Sequence, residues 1–179
     1  MMTYQVSAFA LAIVFFANIS YIVNADQAFY YNVAVQTSGS TKFSAHEGKL
    51  KLSVVRIGEE TTEDFILTPR AVNLTMNSRY TGEIKSSIGL ANIKSVYLSW
   101  TLATPNSPDF ATEKPSIYFD EIVLEYWYTT SVPAVIYGYP KQIEGHRLQK
   151  FCPSTQPIGI EHANGASFHA CGPMVEQTY

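Results

Sequence analysis

Alternation of apolar and polar positions dominates the chain from residue 29 onward. In Phe29–Thr37, the side chains of Tyr31, Val33 and Val35 fall on one face, and the turn group Ser38-Gly39-Ser40 follows. Leu50, Leu52 and Val54 alternate with Lys49, Lys51 and Ser53, which predicts a strand with one wet face. From Ile93 to Leu102, Val96, Leu98 and Trp100 share a face, with Ser95, Tyr97 and Ser99 on the other. Ile117–Tyr128 is the longest predicted strand and is rich in aromatic and β-branched residues. Phe65–Leu67 and Val135–Tyr139 are shorter apolar pieces, the second closed by Pro140. No helical period is sustained beyond residue 25. Short half-wet strands must lay their apolar faces against one another. The expectation is therefore all-β: an antiparallel β-sandwich of about eight strands, with a closed barrel as the alternative.

The N-terminal stretch breaks this pattern. Val6 to Val23 is almost wholly apolar and ends at Val23-Asn24-Ala25, a small-residue processing site. This predicts a secretory signal peptide over residues 1–25 and one domain over 26–179. A membrane anchor is the rival, because about 18 apolar residues approach the length of a bilayer span. No basic cluster flanks the stretch to fix an anchored orientation. The formal net charge of -3 leaves the 12 Lys and Arg scattered without a stripe, so nucleic acid is not an expected partner. In an exported chain, Asn73-Leu74-Thr75 is a glycosylation sequon at Asn73.

The ordered strands resemble the PLAT domain, the β-sandwich of pancreatic-type lipases. The residues that carry the likeness are Tyr31-Asn32-Val33-Ala34-Val35 with Ser38-Gly39, then Gly48-Lys49-Leu50-Lys51-Leu52-Ser53-Val54 with Gly58. They continue through the Ile93–Trp100 strand, Phe119-Asp120-Glu121-Ile122-Val123-Leu124-Glu125, and Arg147-Leu148-Gln149-Lys150-Phe151-Cys152-Pro153. The resemblance implies a last strand ending in Phe-Cys and a disulfide from Cys152 to Cys171. Export would allow these two cysteines, the only ones in the chain, to be oxidised. The likeness departs in two places. The lipase α/β-hydrolase domain has no counterpart in these 179 residues, and the segment between Tyr126 and Gln149 is longer than the family pattern.

Candidate chemistry is sparse. A lipase serine needs a Gly-x-Ser-x-Gly elbow, which is absent. Ser44 near His46 and Ser167 near His169 lack that elbow, so the chain is not expected to be an enzyme. His46, His146, His162 and His169 read as surface residues, although His162 and His169 share the loop between the cysteines and would meet at a metal if it folded back. Glu59, Glu60, Glu63 and Asp64 form an acidic loop, a weak calcium candidate that some PLAT domains make plausible. Asp109 and Glu113 form a second one. No other cofactor is expected.

The aromatic group Trp127, Tyr128, Ile136, Tyr137 and Tyr139 is the candidate contact surface for a lipid or partner, because such side chains suit an apolar–water boundary. An ordinary strand pair with one face in the core is the plainer reading of the same residues. The resemblance implies a secreted, non-catalytic module that docks on a lipid surface or a lipid-associated protein. A secreted structural or protein-interaction protein without lipid affinity is the alternative.

Overall fold

The computed structural model describes residues 28–58, 62–104, 114–133 and 138–179. The predicted signal segment and the piece Val135-Ile136-Tyr137 lie outside the described residues. Among the described residues, eleven strands occur in chain order: β1 (Phe29–Thr37), β2 (His46–Arg56), β3 (Thr62–Ile66), β4 (Val72–Leu74), β5 (Arg79–Ser86) and β6 (Ile93–Leu102), then β7 (Ser116–Val132), β8 (Lys141–Pro153), β9 (Ile158–Glu161), β10 (Gly165–Ala170) and β11 (Val175–Thr178). One 3-10 turn, Leu90–Asn92, precedes β6.

All pairings are antiparallel. The main path runs β3-β2-β6-β10-β8-β7-β1-β5. Three long strands each serve two partners in succession along one edge. β2 takes β4 and then β3, β7 takes β9 and then β8, and β8 takes β11 and then β10. The expected antiparallel sandwich of about eight strands is thus present as one continuous sheet, folded over so that its halves face each other. The barrel alternative survives only in that this sheet nearly closes.

The period of two along the chain dictates which side chains meet. Leu50, Leu52 and Val54 of β2 stand opposite Trp100, Leu98 and Val96 of β6. Val33 and Val35 of β1 stand opposite Leu124 and Ile122 of β7, and Ile122 in turn faces Phe151 of β8. All of these belong to one buried core. Cross-strand apolar pairs of this kind are the unit of sheet stability, and a one-residue slip would turn the whole set into water. Trp100 is fully buried, and its Nε1 donates to the Ile160 carbonyl of β9 at 2.7 Å, which ties the two layers through the core. Tyr31, also fully buried, donates its hydroxyl to the Ile88 carbonyl at 2.7 Å; burial pushes its phenol well above the usual range.

The seam lies where the two ends of the path, β3 and β5, approach each other. Side chains close it. A Cβ on Gly82 would stand 2.6 Å from the Leu67 carbonyl, so only glycine lets β5 come this close. The Tyr80 hydroxyl of β5 donates to the Asn73 carbonyl of β4 at 2.8 Å and accepts from the Thr75 N–H at 2.7 Å. Glu63 of β3 accepts from the Ser87 hydroxyl, and from its N–H at 3.1 Å. Partial burial alone would raise the Glu63 pKa. The Ser86 and Ser87 hydrogen bonds and the Arg56 charge outweigh it and hold the carboxyl below its usual range.

A prediction follows for this latch. A carboxyl with a depressed folded-state pKa stabilises the fold above its unfolded pKa and loses that contribution as pH falls through the folded value. Glu63→Gln is expected to cost about 1 kcal/mol at pH 7, a charged hydrogen bond discounted for its solvent exposure. Urea unfolding of both proteins should show a gap at pH 7 that narrows below the ordinary carboxylate range. A gap unchanged at pH 3 would rule the latch out as its source.

Candidate binding surface

Beyond Tyr126, β7 and β8 continue past the sandwich as a two-stranded arm. Tyr126 to Val132 pair with Arg147 to Lys141, and β11 flanks β8 along Gly145–Leu148. The family-like pattern lacks this stretch, and the chain builds it by running its longest strand, 17 residues, into a hairpin. Opposed residues of an antiparallel pair share a face. One face of the arm therefore carries Tyr126, Tyr128, Arg147 and Glu176, and the other carries Trp127, Thr129, His146, Glu144 and Gln177.

The first face is a polar aromatic cluster. Tyr126 stacks on Tyr128 at 5.4 Å and packs edge-on against Phe29 and Tyr31, so it joins the arm to the core. The Arg147 guanidinium lies 4.9 Å from the Tyr128 ring centroid and donates to Glu176 at 2.8 Å. Tyr128 also donates its hydroxyl to Glu176. These two donors hold the Glu176 carboxyl below its usual range. The accepting carboxylate pushes the Tyr128 phenol up. The Tyr128 ring lies over Gly145, where an added Cβ would stand 2.2 Å from it. The sheet needs glycine at 145 for that ring to lie flat.

The second face is the more open one. Trp127 stacks on His146 at 4.5 Å and lies 6.2 Å from the similarly oriented Tyr179 ring. Trp127 remains 52% exposed while the His146 side chain beneath is only 12% exposed, so the indole covers the imidazole and turns its remaining surface to water. His146 Nε2 lies 2.5 Å from Glu125 Oε1, a close contact off the hydrogen-bonding directions. Tyr179 is anchored by its N–H to the Glu144 carbonyl at 2.9 Å and by its hydroxyl to Gln177 at 2.8 Å. A cleft of about 340 Å³ is lined by Trp127, Thr129 and Glu144 of this face and reaches Tyr128 between them. Tyr139 at the arm tip is 65% exposed.

The disulfide expected from the resemblance is present. Cys152 and Cys171 are bonded, with Cα atoms 5.7 Å apart. The bond fastens the β10–β11 connection to β8, and the Cys171 N–H adds a bond to the Lys150 carbonyl at 3.0 Å. β11, and with it Glu176 and Tyr179, is therefore held against the arm by a covalent tie.

The structure distributes the remaining sequence candidates. Trp127, Tyr128 and Tyr139 sit on the arm, whereas Ile136 and Tyr137 lie outside the described residues. Trp127 and Tyr128 occupy opposite faces, so they do not form one patch. Glu59, Glu60, Asp109 and Glu113 lie outside the described residues. Glu63 and Asp64 do not belong to a loop as expected. They are consecutive residues of β3 and point to opposite faces, because successive strand side chains alternate. Among the described residues, no three His, Cys, Asp or Glu side chains group to hold a metal.

His162 and His169 do not meet. His162 accepts from the Leu102 N–H at 3.1 Å and packs edge-on against Trp100, while His169 is exposed on β10 opposite Ser95. Nor is every histidine a surface residue: His146 is largely covered by Trp127, and burial lowers the pKa of His46 beside Trp100. Asn73 is exposed on β4.

Sequence reasoning missed His146, Glu125, Arg147, Glu176 and Tyr179. A hairpin register centred on residues 136–137 would have set Trp127 against His146, but nothing in the sequence foretold that the C-terminal residues return as β11. Among the described residues no helix is long and apolar enough to cross a membrane. No protein-family model matches the chain, and no curated protein matches it.

Proposed function

We propose that the protein is a secreted, non-catalytic docking module that uses the β7–β8–β11 arm to engage a lipid surface or a lipid-associated protein. The observation that carries this reading is the half-exposed Trp127 held flat by His146, with exposed Tyr179 beside it and Tyr139 at the tip. Large exposed aromatics cost a solvated monomer surface area that it otherwise buries, and their clustering marks an interaction site. A ring with an apolar body and a polar edge suits the boundary between lipid and water. The resemblance to the lipase PLAT domain points the same way. Export is supported by the disulfide, which persists in oxidising compartments, by the apolar N-terminal stretch ending at Ala25, and by the exposed sequon at Asn73.

Liposome co-sedimentation with and without calcium tests the proposal. The wild-type chain should partition onto vesicles, and the double variant Trp127→Ala with Tyr139→Ala should bind about 10-fold more weakly, roughly 1.4 kcal/mol. Equal partitioning of the two proteins removes the arm from the reading. A chain that ignores vesicles but recovers one stoichiometric protein favours the alternative without lipid affinity.

A further inference from the structure

We infer that the cleft on the arm binds a quaternary ammonium group, the headgroup of a choline lipid. This rests on the docking reading and names the chemistry that the docking face selects. Trp127 and Glu144 both line the cleft. The face of an aromatic ring attracts a cation through its quadrupole, and tryptophan does so best. A carboxylate a few ångströms away adds Coulomb attraction of the same sign.

Of the cations nearby, Arg147 sits against Glu176 and Lys150 against Glu121, and Lys141, three residues from Glu144 on β8, lies on the opposite face of the strand. Glu144 therefore leaves the cleft with a negative bias. An acyl chain in this cleft would desolvate the carboxylate without replacing its water contacts, which is unfavourable. An anionic headgroup would be repelled. A primary ammonium is strongly hydrated and gives up more on leaving water than a methylated one, which has no N–H to satisfy. The volume, about 340 Å³, lies in the range of small-ligand sites and the mouth is open, so a headgroup can enter while its phosphate stays in water. The site falls in the segment that departs from the family-like pattern, so it is a property of this chain's own residues.

The test uses three probes on the full chain: phosphatidylcholine vesicles, uncharged choline-free digalactosyldiacylglycerol vesicles, and soluble tetramethylammonium chloride against an equal concentration of ammonium chloride. Co-sedimentation reads vesicle binding for every protein, and tryptophan emission reads the soluble cations in the proteins that keep Trp127. The chain has two tryptophans and Trp100 is fully buried, so a ligand-dependent change reports on Trp127. Two variants accompany the wild type. Glu144→Gln keeps size and removes charge, and Trp127→Leu keeps apolar bulk and removes the ring face.

The expected result is about 10-fold tighter binding to phosphatidylcholine than to the galactolipid, with a saturable response to tetramethylammonium and none to ammonium. Glu144→Gln should lose at least 5-fold of the phosphatidylcholine affinity, and Trp127→Leu should bind both vesicles equally. Equal wild-type binding to both vesicles with no tetramethylammonium response overturns the inference and leaves the docking reading standing. A tetramethylammonium response without vesicle binding supports the cleft chemistry, assigns it to a soluble source and removes the lipid surface from the docking reading. A chain that responds to none of the probes overturns both the cleft chemistry and lipid docking.

Discussion

Replacing Trp100 by Ala is expected to lower the unfolding free energy by about 3–5 kcal/mol, the largest single-residue effect in the molecule. The ring is fully buried between the β2 and β9 sides of the core, where an aromatic of its size removes roughly 150–250 Å² from water. Truncation leaves a cavity that the surrounding strands cannot fill without breaking register. It also strips the Ile160 carbonyl of its 2.7 Å donor. An unsatisfied buried acceptor adds about 1–3 kcal/mol to the loss within that total. Set against a typical domain stability of about 5–15 kcal/mol, the variant should be marginal at 37 °C. Urea titration checks this: the midpoint should fall sharply while the slope stays near the wild-type value. Trp100→Phe separates the two contributions, because it keeps most of the ring and loses only the N–H. A Trp100→Ala protein within about 1 kcal/mol of wild type would mean that the two layers do not share this core.

Breaking the disulfide is the second large effect, and it reaches the binding surface. Cys152→Ser with Cys171→Ser should cost about 2–4 kcal/mol, because the bond closes a loop of 19 residues' separation and restricts the unfolded chain. The consequence is not uniform. β11 pairs with β8 alone, and four exposed residues make up its whole length. Without the covalent tie, β11 keeps its short ladder, the Tyr179 N–H bond and the Arg147 and Tyr128 hydrogen bonds to Glu176 as holds on the arm. Tyr179 and Glu176 should therefore loosen well before the core does. Thermal unfolding measures the global loss, and amide exchange at Glu176–Thr178 measures the local one. Uniform loosening of all strands would contradict the role assigned to the bond.

What the sequence made legible follows from how strongly each strand alternates. β1, β2 and β6 announce themselves because one face is apolar and the other wet; the anticipated residues Tyr31, Val33, Val35, Leu50, Leu52, Val54, Val96, Leu98 and Trp100 are buried, and Ser95, expected on the wet face, is buried as well. β4, β9 and β11 were invisible. They hold three or four residues each, too few for a period to show, and β11 is exposed throughout. β5, with Arg79, Thr81, Glu83 and Lys85 on one side and Gly82 interrupting the other, carries too little apolar contrast to declare itself. Its place is set by its full-length ladder with β1 and by the side-chain seam with β3 and β4.

The candidate surface was half legible. Aromatics around residues 127–139 stood out in the composition, and Trp127 lies half-exposed on the β7–β8 strand pair. The partners that shape the site come from elsewhere. His146 arrives by hairpin register, and Glu176 and Tyr179 arrive by a C-terminal strand whose course depends on the disulfide. The acidic residues misled because Glu63 and Asp64 alternate within a strand, and one of them is spent on the seam.

Hydrogen–deuterium exchange of the full chain, with and without phosphatidylcholine vesicles, tests the docking role of the arm most directly. Protection should rise in Tyr126–Val132, Lys141–Leu148 and Val175–Tyr179 and stay unchanged across β2, β3 and β5. Protection centred on the β3–β5 seam, or no change anywhere on the arm, would contradict it.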